Sequence, residues 1–216
     1  MTAPLISRRR FLAQTLAASL ALPATKLFPS SRALPTRRRL RELGIVIGSL
    51  PTGKWNAITD VPGVKVGRAQ LMINGVPVGK EIQDLQSSEG KKSKSIILIG
   101  ATNAPMIPAQ LQRLCKRMAF GLARTGALSS HGSGDLLLFF STGVKMKPEA
   151  AMTEIEIFND EWITRAHQAA MEAAEEAILN ALCMAETTVG INGNTAQALP
   201  IERLPAIMRK YGQTQK

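Results

Sequence analysis

The chain has 216 residues, of which 45% are hydrophobic and 20% are charged, and its net charge is +11. This balance is typical of a globular domain and excludes a chain that is disordered throughout. Residues 1–42 hold nine of the 27 basic residues and one acidic residue, so 18 basic and 15 acidic residues remain in the body. Because aromatic residues are also scarce, the body lacks the basic, stacking surface of a nucleic-acid-binding protein, and no nucleic-acid partner is expected.

Residues 1–33 have the order of features of a twin-arginine export signal. Arg8, Arg9 and Arg10 precede a moderately apolar stretch, Phe11–Ala24, and small residues follow where a peptidase could cleave. That stretch is shorter than the roughly 20 apolar residues that span a bilayer, so no stable membrane span is expected. The interpretation is export to the periplasm; the alternative is a basic amphipathic or disordered tail.

The next part, residues 34–80, is predicted to form opening strands. Gly44–Gly48 and Asn56–Ile73 have the pattern of short strands and turns, with a tight turn at residues 61–64, VPGV. The sequence then becomes polar and charged from Lys80 to Lys94, without apolar periodicity. This predicts an exposed linker over residues 81–94, ahead of a final portion at 95–216.

Two runs of branched and aromatic apolar residues predict strands that are buried on both faces. They are Ser95–Thr102 and Asp135–Ser141. Between them, Pro105 and Pro108 introduce an amphipathic helix, with Pro108 near its first turn, and a Gly- and Ser-rich loop covers residues 126–134.

Two further helices are predicted. A long helix begins near Asn159 or Asp160, which are good N-cap residues, and runs to about Glu186. A short helix follows Pro200 and ends near Gly212. Strands that alternate with helices indicate an α/β fold with few strands.

The cysteines and histidines give no metal or cofactor site. Cys115 and Cys183 lie on the apolar sides of helical patterns and are interpreted as small buried hydrophobic residues rather than a disulfide. His131 and His167 have no partner at the spacing of metal ligands. There is also no Walker loop and no GxSxG nucleophile elbow.

Three local features could carry chemistry. Ser95 begins a strand directly after a polar linker and could be a nucleophile presented at the end of a sheet. A serine at the start of a strand usually has no catalytic role. The Ser133-Gly134-Asp135 turn leaves a serine hydroxyl uncrowded, or is simply a tight turn with local hydrogen bonds. Thr102–Pro105 ends the first strand, where ligands often bind in α/β sheets, or is a proline turn that starts a helix.

Several motifs in the correct order resemble those of the L-aminopeptidase/D-esterase family, peptidase family S58, which includes β-peptidyl aminopeptidases. The resemblance covers most of residues 43–75 and nearly all of 95–216. The motifs are LGIVIGSLPTGKWNAITDVPGVKVG at 43–67, SII at 95–97, ATNAP at 101–105, GLARTG at 121–126, GSGD at 132–135, EEAILNAL at 175–182, and GN and ALP at 193–200.

The resemblance implies a fold similar to N-terminal-nucleophile hydrolases, with stacked β-sheets between helical layers. It also implies that the precursor cuts itself, and that Ser95 becomes an N-terminal nucleophile whose α-amine accepts its proton. Ser133 would be the second active-site serine and Asp135 the acidic residue. The implied substrate is a peptide or an aminoacyl amide or ester, and the implied assembly is a homo-oligomer. The resemblance implies no cofactor.

Two departures leave the activity of this chain open. Lys94 precedes Ser95 where the family has a small residue, and residues 80–94 replace a long family segment that carries an oxyanion-binding asparagine. Losing one oxyanion donor costs roughly 10²–10³ in rate. One interpretation is therefore an active aminopeptidase; the other is a non-catalytic, internally deleted relative that serves as a remnant or interaction subunit.

Overall fold

The computed structural model describes residues 36–51, 70–83, 95–128, 131, 134–146, 148–193 and 195–213. The contacts reported below lie in one compact unit, Arg37–Lys216. The predicted export signal, the turn at residues 61–64 and the linker after Gln83 lie outside the described residues. None of the helices in the described part is long and apolar enough to cross a membrane.

Two parallel strands form the main sheet. They are β1, Ile96–Thr102, and β2, Asp135–Ser141, paired in register from Ile96 opposite Asp135 to Thr102 opposite Ser141. Both strands lie within one residue of their predicted bounds. Parallel neighbours need a crossover connection, and the helix between them supplies it.

The predicted helices that cover the sheet are confirmed. Helix α2, Pro108–Arg124, begins with Pro108 at its first position and lies against β2. Helix α3, Ile163–Met184, packs on α2 and follows a turn of 3-10 helix, Asp160–Trp162. The Asn159 Oδ1 accepts a hydrogen bond from the Glu161 backbone N–H at 2.9 Å, as its predicted N-cap role requires. A shorter helix, α1, Val78–Glu81, precedes them in the chain.

The helices cover only one face of the sheet. Leu98 is buried beneath them, whereas its neighbours in β1, Ile97 and Ile99, are more than half exposed. The prediction that both strands are buried on both faces is therefore wrong. An apolar run of this length is compatible with burial on one face or on both. Burial on both faces needs a second layer over the sheet, and the described residues provide none.

The predicted strand at Gly44–Gly48 is also wrong. A turn of 3-10 helix, Arg41–Leu43, is followed by irregular backbone. The alternation is real, because Ile45 and Ile47 are buried in the core and Val46 is half exposed. No neighbouring strand in the described part pairs with it, so the backbone does not form a ladder.

Residues 70–83 pack into the core. Ile73 and Val76 form a single antiparallel bridge around a turn with positive φ at Asn74 and Gly75. Helix α1, Val78–Glu81, follows, and Ile82 is fully buried. The start of the predicted exposed linker is therefore wrong: the chain at residues 80–82 belongs to the folded body.

The last helix of the described part is α4, Leu204–Lys210, as predicted after Pro200, and Gly212 has a left-handed φ of 72°. Lys210 and the Tyr211 hydroxyl both donate hydrogen bonds to the Glu81 carboxylate. A small antiparallel pair that the sequence did not predict, β3, Thr188–Val189, and β4, Thr195–Ala196, lies before it.

Acidic side chains of α3 attach the opening segment to the helix. The Glu172 carboxylate accepts hydrogen bonds from the backbone N–H groups of Ser49 and Leu50, both at 3.1 Å. One turn later, Glu176 accepts two hydrogen bonds of 2.7 Å from Arg41. Buried carboxylates therefore hold residues 41–50 in place.

Both cysteines are free, as expected. Cys183 is fully buried, and burial raises the pKa of its thiol to about 12. Cys115 is partly buried, with its Sγ 3.8 Å from the Leu137 carbonyl oxygen. Both thiols behave as small apolar side chains of the core.

Candidate active site at the start of the strands

Ser95 lies immediately before β1 and is exposed. Its Oγ accepts a hydrogen bond of 3.1 Å from the backbone N–H of Gly134. The next backbone N–H, that of Ile96, donates to the Gly134 carbonyl at 3.3 Å. The two contacts fix the serine hydroxyl beside Gly134, which is 39 residues away in sequence.

Asp135 lies at the same end of the sheet as Ser95. It begins β2 and stands opposite Ile96, which is one residue from Ser95. Parallel pairing therefore places the backbone positions of Ser95 and Asp135 at the same end of the sheet, whereas the alternation of side chains along the strands directs the two side chains to opposite faces. Ser133 lies outside the described residues, but its chain neighbour Gly134 is the residue that contacts Ser95.

The third predicted feature, Thr102–Pro105, does not belong to this site. It follows the other end of β1, about 20 Å away for a seven-residue strand. Its groups serve the fold: the Thr102 carbonyl accepts from Thr142 N at 2.9 Å, and the Pro105 carbonyl accepts from Phe158 N at 2.7 Å. The interpretation as a proline turn that starts a helix is the one the structure supports.

Sequence reasoning missed the Gly134 N–H. The starts of the two strands could have indicated this contact, because neighbouring parallel strands that begin at residues 96 and 135 place Ser95 next to Gly134. The sequence predicted both strands but not that they are neighbours.

The chemistry that this arrangement permits is that of an oriented hydroxyl. The Gly134 N–H occupies one acceptor position of Ser95 Oγ and leaves its hydrogen available to a base. In the described residues, no group of three or more His, Cys, Asp or Glu side chains could hold a metal ion.

Ser95 also shares a face with the exposed side chains of the sheet. Side chains alternate along a strand, so Ser95, Ile97 and Ile99 project to the side opposite the helices. Ser95 therefore stands at the edge of an open apolar surface. Whatever covers that surface also borders the serine.

Similarity to solved structures identifies the fold. An L-aminopeptidase D-Ala-esterase/amidase from Ochrobactrum anthropi, described as a prototype of the serine aminopeptidases and a variant of the Ntn hydrolase fold, superposes with a TM-score of 0.58. It is 34% identical in sequence, and the match covers 68% of this chain and 41% of that one. A Burkholderia sp. β-aminopeptidase gives a TM-score of 0.58 at 32% identity, with coverage of 67% and 41%. The α/β fold seen here is thus part of the Ntn hydrolase fold.

The family follows from the sequence. The profile of Peptidase family S58 matches residues 67–196, a range that includes Ser95, Ser133 and Asp135. The β-peptidyl aminopeptidase BapA of Sphingosinicella microcystinivorans is 38% identical over an alignment of 160 residues, and the match covers 67% of this chain and 40% of that protein. The chain belongs to peptidase family S58, and it spans about 40% of the length of the curated relatives it matches.

Proposed function

We propose that this chain carries the nucleophile of a serine aminopeptidase, with Ser95 as the attacking residue. Its substrates would be peptides, amides or esters with a free N-terminal amino group. The observation that carries the proposal is the hydrogen bond from Gly134 N–H to Ser95 Oγ, which holds the hydroxyl at the residue between Ser133 and Asp135 in the sequence.

The proposed reaction starts with hydrolysis of the peptide bond between Lys94 and Ser95, which gives Ser95 a free α-amine. The Ser95 hydroxyl then attacks the carbonyl carbon of the substrate's N-terminal residue and passes its proton to that amine. The amine returns the proton to the leaving group, and water hydrolyses the resulting ester. Ser133 and Asp135 would orient the proton network or bind the substrate's ammonium group.

A second candidate is a non-catalytic member of the same family. The specific observation in its favour is length, because about 60% of each matched relative has no counterpart here. Lys94 is a second observation in favour of this candidate. Its long side chain stands directly before Ser95, where self-cleavage in the family uses a small residue. In this case Ser95 would keep its position without turnover.

Hydrolysis of aminoacyl p-nitroanilides distinguishes the two candidates. Anilides of L-, D- and β-amino acids are to be tested with the full chain, with Ser95→Ala and with Ser93→Ala as the matched control two residues upstream. The proposal predicts turnover that Ser95→Ala lowers at least about 1,000-fold and that Ser93→Ala leaves unchanged. Absence of turnover with every anilide supports the non-catalytic candidate.

We further propose that residues 1–33 direct export to the periplasm by the twin-arginine route. The order of arginines, apolar stretch and small residues supports it. Replacing Arg8 and Arg9 with lysines should leave the chain in the cytoplasm, measured by fractionation and immunoblotting. Export at the level of the unchanged chain would refute this route.

A further inference from the structure

Helix α2 has basic side chains and no acidic ones. Its sequence, Pro108–Arg124, contains four Lys or Arg residues and neither Asp nor Glu. Arg113 and Arg124 lie within salt-bridge distance of carboxylates, whereas neither Lys116 nor Arg117 does so in the described part of the chain. Because Lys116 is also exposed, the outer side of the helix is positively charged.

The beginning of α3 extends this charged surface. Arg113 Nη2 lies 2.9 and 2.8 Å from the two carboxylate oxygens of Asp160, which is two residues before Trp162. Burial lowers the pKa of His167 in the first turns of α3, and the charges of Arg117 and Arg113 lower it further. The start of α3 therefore lies beside the basic residues of α2.

Two aromatic side chains are exposed on the same surface. Phe120 is 51% exposed and Trp162 is 53% exposed. The guanidinium of Arg117 lies 5.2 Å from the centre of the Phe120 ring, and that of Arg165 lies 5.0 Å from the centre of the Trp162 ring, both within the range of a cation–π contact. The basic–aromatic face is the surface formed by Arg113, Lys116, Arg117, Phe120, Trp162 and Arg165.

We infer that the basic–aromatic face binds the surface of a membrane that contains anionic phospholipids. Lys and Arg side chains near such a surface are attracted to its negative charge, and exposed aromatic rings beside them enter the headgroup region. The outer sides of two adjacent helices are convex, whereas small ligands bind in concave sites. A lipid surface can contact the cations and both rings at once.

The rings favour lipid over other anionic partners. A single-stranded nucleic acid stacks its bases on free aromatic faces along a groove, whereas here a guanidinium already covers one face of each ring. An acidic protein segment would pair with the cations but would leave the two rings in water. The inference needs neither Ser95 nor cleavage after Lys94, so it is independent of the proposed catalysis.

Fluorescence of Trp162 tests the inference on the full chain. The chain has two tryptophans, so Trp55→Phe makes Trp162 the only one. Mixed vesicles of phosphatidylglycerol and phosphatidylcholine should shift the Trp162 emission to shorter wavelength, and vesicles of phosphatidylcholine alone should not. Residues 1–33 are basic and partly apolar and can also bind anionic vesicles, but that binding would leave Trp162 in water.

Lys116→Glu reverses one charge within the face and should weaken binding to the mixed vesicles at least about tenfold. Lys80→Glu is the matched control, because Lys80 is exposed on α1, which packs against α4, and the net charge changes by the same amount. It should bind as the unchanged chain does. Co-sedimentation with vesicles gives the same comparison without Trp55→Phe, and circular dichroism checks that every variant is folded.

Trp162 emission that does not change with the mixed vesicles overturns the inference. Equal binding by Lys116→Glu and Lys80→Glu also overturns it, because the contact then lies elsewhere in the chain. A shift produced by soluble polyglutamate but not by vesicles overturns it as well and assigns the face to an acidic protein partner.

Discussion

Glu172 and Glu175 lie one turn apart on α3 and are both buried. Their pKa values are shifted in opposite directions. Burial raises the pKa of Glu172, but hydrogen bonds from Gln168 and from the Ser49 and Leu50 N–H groups outweigh it, and the pKa lies below its ordinary 4.5. Burial raises the pKa of Glu175 above 4.5, and Arg124 only partly offsets this. Its Oε2 is 3.3 Å from Arg124 Nη1 but has no hydrogen-bond partner in the described structure.

Glu172→Gln should therefore destabilise the protein at pH 7. The amide loses charge-assisted acceptance from two backbone N–H groups, at a cost of about 1–3 kcal/mol in the free energy of unfolding. Because the folded-state pKa of Glu172 is lowered, its contribution is present above pH 4.5 and is lost as the pH falls through the folded pKa. Urea unfolding of both proteins at pH 7 and pH 4 should show the difference shrinking with acid; a constant difference would contradict this assignment.

Glu175→Gln should behave in the opposite way. A raised folded pKa means that ionisation costs stability as the pH rises from 4.5 through that pKa, and glutamine removes this cost. Arg124 is half exposed and tolerates the loss of its partner. The variant should equal or exceed the unchanged chain in free energy of unfolding at pH 7, and lose this advantage near pH 4. A marked loss at pH 7 in the same urea experiments would show that the ion pair dominates.

At the scale of elements, the contact between α2 and α3 depends on one glycine. A Cβ at Gly121 would overlap the Met171 carbonyl oxygen and come within 3.0 Å of the Ala174 Cβ and the Glu175 backbone N. The obstacle is mostly backbone, which cannot move without shifting a helix. Gly121 thus sets the distance between the two helices.

Gly121→Ala should consequently lower the free energy of unfolding by about 1–3 kcal/mol, although alanine favours helix formation. Ala123→Ser, at an exposed position of the same helix, is the control and should change it by less than about 0.5 kcal/mol. Thermal and urea unfolding measure both. Equal stability of Gly121→Ala and the unchanged chain would mean that the helices are not packed as closely as described.

The elements were predictable where the signal is local. Branched apolar runs located β1 and β2, and Pro108 and Asn159 located helix starts, because these residues act on the backbone next to them. The strand predicted at Gly44–Gly48 failed since a strand requires a neighbour, which no local pattern reports. For the same reason the open face of the sheet was not foreseen: burial depends on a second layer distant in sequence.

The whole chain spans about 40% of the length of the relatives it matches. The resemblance placed Ser95, Ser133 and Asp135 in order, and the sheet brings Ser95 next to Gly134, with Asp135 one residue further along β2. The pairing of β1 with β2, which creates this end of the sheet, could not be derived from spacing alone. About 40% of the length of the relatives is enough to form that pairing and one helical layer.

The intact mass of the purified chain under denaturing conditions tests the central claim most directly. If Ser95 is the nucleophile of a self-processing aminopeptidase, the chain separates into two fragments that meet between Lys94 and Ser95, while Ser95→Ala remains whole and Ser93→Ala is cut. A single uncut chain, identical in mass pattern to Ser95→Ala, would contradict the claim.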